Sequence, residues 1–484
     1  MNPAERFVYD LTKRFPALKM ALRDLYQGVF DLLPEKESWS VAPVTVREGA
    51  FFGFHDHCPF SPVWVDGPEG GMLLAHRASI PLRMPLPGEA VEIGVYTGEG
   101  WMDWHPLGHS LAWNWHQGAK LQWRGDGDAF SGECMWNDVR DGRWCAVLGQ
   151  VGGSLEKVGR QAGQVDELAE SVSSQERVLQ VPLSSISGDG RTGVGYSFAR
   201  VERAMPGYGY RSEVRHVESD RDRKPIFDPG SQKTSSLSLH QPDPREVDPL
   251  APENSHLYVT DLDSGQTTPL ISLAELARYK PEPDMEDAYH FVSHALFSPR
   301  GDRFLFLHRW VKGDLRSRRS RLMTMDIRGE HLHLFPTDGM ASHMAWRGDN
   351  QVLAYCSVEG QDGYVLFDDR TQRFKRIGQG VLTSDGHPSF LRGVGAAEMP
   401  SRLVTDTYPD RSRRSSLLLY DMERNDRVLM GQFRHPKRYA SADPHKNWRC
   451  DLHPRPDRKG RVVCFDSVHT GVRSLCTMEI PKGY

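Results

Sequence analysis

His294-Ala-Leu-Phe297-Ser298-Pro299-Arg-Gly301 is the stretch whose reading decides the fold. An imidazole stands three residues before a bulky ring, and a tight turn follows. The same signal returns in His343-Met-Ala-Trp346-Arg-Gly348-Asp349, in His387-Pro-Ser-Phe390-Leu-Arg-Gly393 and in His57-Cys-Pro-Phe60-Ser61-Pro62. Two segments keep the layout without the His: Lys120-Leu-Gln-Trp123-Arg-Gly125-Asp126 and Leu183-Ser-Ser-Ile186-Ser-Gly-Asp-Gly190. A seventh, Leu452-His453-Pro-Arg-Pro-Asp457-Arg-Lys-Gly460, sets a His in nearly the same place. Seven copies of one turn signal define an internal repeat.

Working outward, each signal is followed by short apolar runs separated by polar turns. After Gly301 these are Arg303–His308, Arg321–Asp326 and His331–Phe335; after Gly348, Gln351–Cys356, Gly363–Asp368 and Arg373–Ile377. Such runs, bounded by Gly, Pro, Asp and Asn, predict antiparallel strands. Four strands per unit and seven units predict an all-β fold, a seven-bladed β-propeller. The last unit has two clear strands before Tyr484. Trp39–Arg47 is expected to supply its missing outer strand, so that both chain ends close the ring. Deletion of residues 36–49 should then destabilise the whole protein.

The expected organisation is an N-terminal helical extension over 1–35 and a propeller over 36–484, with insertions at about 152–176 and 211–254. The third unit is read with two strands ending near Ser197–Arg200 and a third at His256–Leu262. The chain between the second and third strands includes Pro206-Gly-Tyr-Gly-Tyr-Arg211, which has the flexible backbone and polar aromatics of a binding loop.

Composition fits a globular chain of 484 residues, and a formal net charge of −4 gives no field that would gather nucleic acid. The runs Arg316–Arg321 and Arg411–Arg414 read first as solvated loops, although Arg also suits an acidic polysaccharide. Seven scattered cysteines without a CxxC pair favour a reducing compartment. The first 34 residues read as amphipathic helix rather than signal peptide, and no run is long enough to span a membrane. A cytoplasmic location is the expectation.

In a propeller the innermost strands converge on a central channel. His294, His343, His387 and His453 come from four consecutive units and should face shared space there. Neutral imidazoles converging in this way suit a divalent metal, Zn or Mn; the alternative is that each His binds its own turn. The second unit carries Trp113-Asn-Trp115-His116-Gln117 and Trp136-Asn137-Asp138. Rings and amides together suit a sugar, with a Trp-rich blade core as the alternative. Trp115, Gln117, Asn137, Arg449 and Arg455 are the candidate substrate contacts.

The series Asp385-Gly-His-Pro-Ser389, Val404-Thr-Asp-Thr-Tyr-Pro-Asp-Arg411 and Trp448-Arg-Cys-Asp-Leu-His-Pro-Arg455 resembles the β-propeller polysaccharide lyases, the oligogalacturonate and propeller ulvan lyases. The resemblance covers most of 45–484 and is clearest over 290–470. It implies cleavage of uronic-acid glycans by β-elimination, with metal assistance. It also implies a His, Tyr and Arg constellation, matched here by His116, by Tyr208 or Tyr210, and by Arg211. The Gln that joins the Mn ligands of oligogalacturonate lyases has no match, and Asn137 lies where a second channel His is expected. β-Elimination needs its carboxylate neutralised, a base and an acid, so His116 is read as base, Tyr208 or Tyr210 as acid and Arg211 as carboxylate partner. Two other readings stay open. One is a non-catalytic scaffold binding an acidic glycan or a protein. The other is a glycoside hydrolase using carboxylates such as Asp385, Asp406 and Asp451.

Overall fold

The computed structural model describes residues 36–62, 71–151, 176–211, 249–391, 399–440 and 443–481. The expected helical extension over 1–35 and most of both insertions lie outside these residues. Seven antiparallel sheets stand around one axis, so the chain is a seven-bladed β-propeller. In blade four the strands run Tyr289–Phe297, Arg303–Val311, Arg319–Asp326 and His333–Leu334, from the axis outward.

The repeat signal marks the innermost strand. In four blades that strand is two residues long and begins two residues after the signal's first position: Gln122–Trp123, Ser185–Ile186, Ser389–Phe390 and Arg455–Pro456. Lys120, Leu183, His387 and His453 are therefore equivalent, and the seventh copy is in register with the rest.

The apolar runs are continuous rather than alternating because each blade is covered on both faces. Successive side chains of a strand point to opposite faces. Phe304 and Phe306 therefore pack with Val194 and Leu257 of blade three, while Leu305 and Leu307 pack with Val352 and Ala354 of blade five. Leu353 then joins Leu403 and Leu418 of blade six. Each such side chain is buried, contributing about 2 kcal/mol relative to exposure.

The N-terminal side closes the ring in two places. Val44–Glu48 pairs with Ser474–Glu479 as the outer strand of blade seven. Trp39–Ser40 adds a fifth strand to blade six, beside Gly431 and Gln432. The stretch expected to cap one blade thus caps two.

Blade three departs from expectation. Its second strand is Thr192–Gly195, and Phe198–Ala204 is an α-helix (α1) instead of strand. Ser197 is the reason: its side chain caps the helix by accepting from the backbone N–H of Arg200. This helix carries the chain to the Gly207–Arg211 loop near the axis. No helix among the described residues is long and apolar enough to cross a membrane.

Candidate functional site

The backbone aims the histidines. The pairing of the first two strands slips between Ser293 and Leu296 in blade four, and between Ala341 and Met344 in blade five. His294 and His343 sit in these bulges, which redirect side chains out of the regular pleat. His294 and His453 also adopt left-handed backbone, with φ of 58° and 45°, which costs a β-carbon residue about 1 kcal/mol. Lys120 does the same in blade two, with φ of 57°.

The imidazoles of His294, His343, His387 and His453 converge around Phe54. Their ring centroids lie 4.8, 6.1, 6.0 and 5.3 Å from it. His343 is 3.9 Å from His387, and His387 is 4.2 Å from His453. His55, from blade one, adds a fifth ring 5.3 Å from His387. Sequence reasoning missed Phe54 and His55; the signal was His55-Asp-His57, of which only His57 matched the repeat. His57 turns elsewhere, towards the carbonyl of Ser184 at 3.2 Å and Asp56 at 3.6 Å.

Carboxylates orient these rings. His387 Nδ1 lies 2.8 Å from Asp406, which also accepts the backbone N–H groups of His387 and His453 at 2.7 and 3.0 Å. One buried carboxylate thus ties blades six and seven to the axis. His343 Nδ1 lies 3.0 Å from Asp385, and His294 Nδ1 lies 2.7 Å from the Ser293 hydroxyl. Gln117 Nε2 sits 3.4 Å from His294 Nε2, so an amide does border the group.

Burial lowers the pKa of His55, His294, His343 and His453. At His387 burial is outweighed, chiefly by Asp406, and the pKa rises. Donor atoms of His387, His453 and Asp451 lie within 4.8 Å of one another. Two imidazoles, one of them (His387) with its Nδ1 held by Asp406, next to the Asp451 carboxylate form a donor set that fits a divalent transition metal. Asp451 is shared, because Arg449 Nε lies 2.8 Å away. That guanidinium in turn covers the Tyr408 ring at 4.8 Å.

His116 and Tyr208 form a separate stack, with ring centroids 4.3 Å apart and planes 12° apart. Tyr208 is 6.4 Å from His294, which links the stack to the axial group. His116 Nε2 lies 2.8 Å from Asn447 Oδ1, and the Asn447 amide nitrogen donates to the Pro206 carbonyl. His116 therefore carries its proton on Nε2, leaving Nδ1 as a buried acceptor without a partner among the described residues. Burial, then Arg449, pushes its pKa down to about 3.

Other candidates are engaged elsewhere. Tyr210 packs on Phe198 at 4.5 Å, and its hydroxyl accepts from Asn137. Asn137 also bonds both backbone groups of Leu183, joining blades two and three. Trp115 is buried against Phe51 and donates to the Arg83 carbonyl. Arg455 is buried with Asp466 at 3.3 Å. Arg211 pairs with Glu202 at 2.8 Å, and Glu202 also holds the N–H groups of Gly207 and Gly209. It braces the loop that presents Tyr208. Trp115 and Asn137 therefore follow the blade-core reading of the Trp-rich unit.

A cavity of about 750 Å³ reaches His55 of the axial group. The repeat's ring residues Trp123, Phe297, Trp346 and Phe390 line it, and His55 and Asp56 are among its lining residues.

No protein-family profile and no curated protein matches the sequence. Among solved structures the chain is similar to an oligogalacturonate lyase in complex with manganese, at 14% identity and a TM-score of 0.55, over 93% of this chain and 97% of that one. It also aligns with the oligogalacturonate lyase of Vibrio parahaemolyticus (10%, TM-score 0.48, 92% and 99%). A puromycin-hydrolysing peptidase of Mycobacterium tuberculosis follows (12%, TM-score 0.43, 93% of this chain and 55% of that one). At 14% identity the likeness to the manganese-bound lyase is one of fold.

Proposed function

We propose that this propeller is a polysaccharide lyase that cleaves uronic-acid glycans by β-elimination. The observation that carries the reading is the His116–Tyr208 stack lying against a buried axial group of imidazoles and carboxylates. In the reaction a base removes the proton on the carbon next to the uronate carboxylate. The electron pair forms a carbon–carbon double bond, and the glycosidic oxygen on the neighbouring carbon leaves with a proton.

His116 is the proposed base. It is neutral at physiological pH, and its tautomer leaves Nδ1 able to accept. Tyr208 is the proposed acid; burial raises its pKa, so the phenol keeps its proton until the leaving oxygen develops charge. Arg211 is tied to Glu202, and Arg449, which Asp451 balances, stands beside the axial group instead. A divalent ion held by His387, His453 and Asp451 would add positive charge to stabilise the carboxylate during proton removal.

The test is ultraviolet absorbance of the protein with oligogalacturonate, ulvan and glucuronan in manganese-containing buffer. A rise from the unsaturated uronate is expected, and His116→Ala should abolish it while melting stays unchanged. Absence of a rise on all three glycans would sink the lyase reading.

A further inference from the structure

The run Arg316-Ser-Arg-Arg-Ser-Arg321 does not behave as one solvated loop. Arg316 is exposed, and Arg319 pairs with Glu282 and Asp284. Arg321 is fully buried, bonded to His308 and to three backbone carbonyls. Arg318 turns inward to the end of α1, where its Nη1 lies 3.5 Å from the Ala204 carbonyl and 2.5 Å from that of Leu315. Arg309, at the end of the second strand of blade four, reaches the same place, with Nη1 3.4 Å from Met205 Sδ.

Two guanidiniums therefore meet at Ala204–Met205. Tyr208 is anchored to that turn, its N–H donating to the Met205 carbonyl. Among the described residues neither Arg has a carboxylate within ion-pair distance. The Nε of each is buried without a hydrogen-bond acceptor, and a buried charged donor left unmet is costly. Arg449 differs, because Asp451 already balances it. Among the described residues Asp314 acts on Arg318 only through space, without an ion pair, so the unpaired positive charge beside Tyr208 belongs to Arg309 and Arg318. In keeping with this, burial and then Arg318 push the pKa of Arg309 down to about 10.

We propose that Arg309 and Arg318 form an anion subsite beside Tyr208 that takes the carboxylate of an acidic sugar. Planar guanidinium forks match a carboxylate in geometry and charge. The sugar as ligand rests on the lyase reading; the anion subsite does not. Arg309 and Arg318 would then be specificity residues, selecting glycans with a free carboxylate at this position.

The test is calorimetric titration of the full chain, in buffer free of competing anions, with inorganic sulfate, trigalacturonate and methyl-esterified trigalacturonate. Wild type should bind the first two, and the ester at least tenfold more weakly than the free acid. Arg309→Gln and Arg318→Gln should each weaken sulfate and trigalacturonate at least tenfold, with Arg316→Gln unchanged. Circular dichroism and melting separate misfolding from lost binding, and Arg309→Lys, which keeps charge, should recover part of the sulfate affinity. Binding equal in all variants, or no binding of either anion to wild type, overturns the subsite. Arg309-dependent binding without cleavage of any uronate would keep the subsite and sink the lyase reading. Cleavage with an unchanged KM in both Gln variants would do the reverse.

Discussion

Blades four to seven and blades one to three face the same axis but fill it differently. The former set an imidazole at the first position of every repeat signal. In the latter, Lys120 and Leu183 hold that position in blades two and three, and in blade one His57 holds it but turns to Ser184 and Asp56, leaving Phe54 and His55 to reach the axis. The backbone does not follow the side chain: Lys120 has nearly the φ of His294, 57° against 58°. A blade therefore folds with Lys or Leu where its neighbours carry His. The turn does not need an imidazole, which weighs against the idea that each His serves only its own turn.

The largest break in this comparison should come at Asp406. It is buried and receives three groups from two blades, the His387 ring and the backbone N–H groups of His387 and His453. Asp406→Ala strands all three, and a loss of about 3–5 kcal/mol is expected in urea unfolding. On the other side, Lys120 pairs with Asp56 at 2.9 Å, both nearly inaccessible. Lys120→Met should cost about 3 kcal/mol by leaving that carboxylate unbalanced, and the double change with Asp56→Asn should recover more than half. If Lys120→Met is neutral, the pair is not what holds blade two to the axis.

These partners mark where sequence reading stopped. The propeller was legible because turn signals and strand periods are local, and equivalence within the repeat put four histidines on one axis. The two-strand closure and α1 were missed, since Trp39–Arg47 reads as one extended run and Ser197 caps a helix inside a strand-like pattern. The polar sites were harder. Trp115, Asn137 and Arg455 have the residue types of a sugar site, yet each is engaged in or between blades. Nothing local tells which face of a strand such a side chain takes. Asp385, Asp406 and Asp451 were noticed as carboxylates, but their partners lie far along the chain.

Acid should act on both halves. His76 in blade one and His290 in blade four are buried and neutral, with burial pushing them down to about 3 and about 4. His76 Nε2 accepts the Ala119 N–H at 3.0 Å, so protonation would break that bond. A histidine depressed in the fold contributes stability above its unfolded pKa of about 6.5, lost as pH falls toward the folded value. Each should cost about 1.4 kcal/mol per pH unit over that window, or about 2 kcal/mol by pH 5. His76→Gln should flatten the slope of unfolding free energy against pH by one proton's worth; an unchanged slope would show that His76 protonates in the folded state.

The smallest effect bears most directly on the contrast between the halves. If backbone alone sets the first position of the signal, the left-handed φ at His294 should persist once the imidazole is gone. Glycine tolerates that conformation and alanine does not. His294→Gly should then be more stable than His294→Ala by about 1 kcal/mol, reversing the order expected in regular strand. The same order should hold at Lys120, where no imidazole was ever present, once the loss of the Asp56 pair common to both variants is subtracted. Equal stability of the Gly and Ala variants at His294 but not at Lys120 would mean that the imidazole group, through its contacts with Phe54 and Gln117, bends the blade-four strand to suit itself. In that case the two halves differ in backbone cause as well as in side chain.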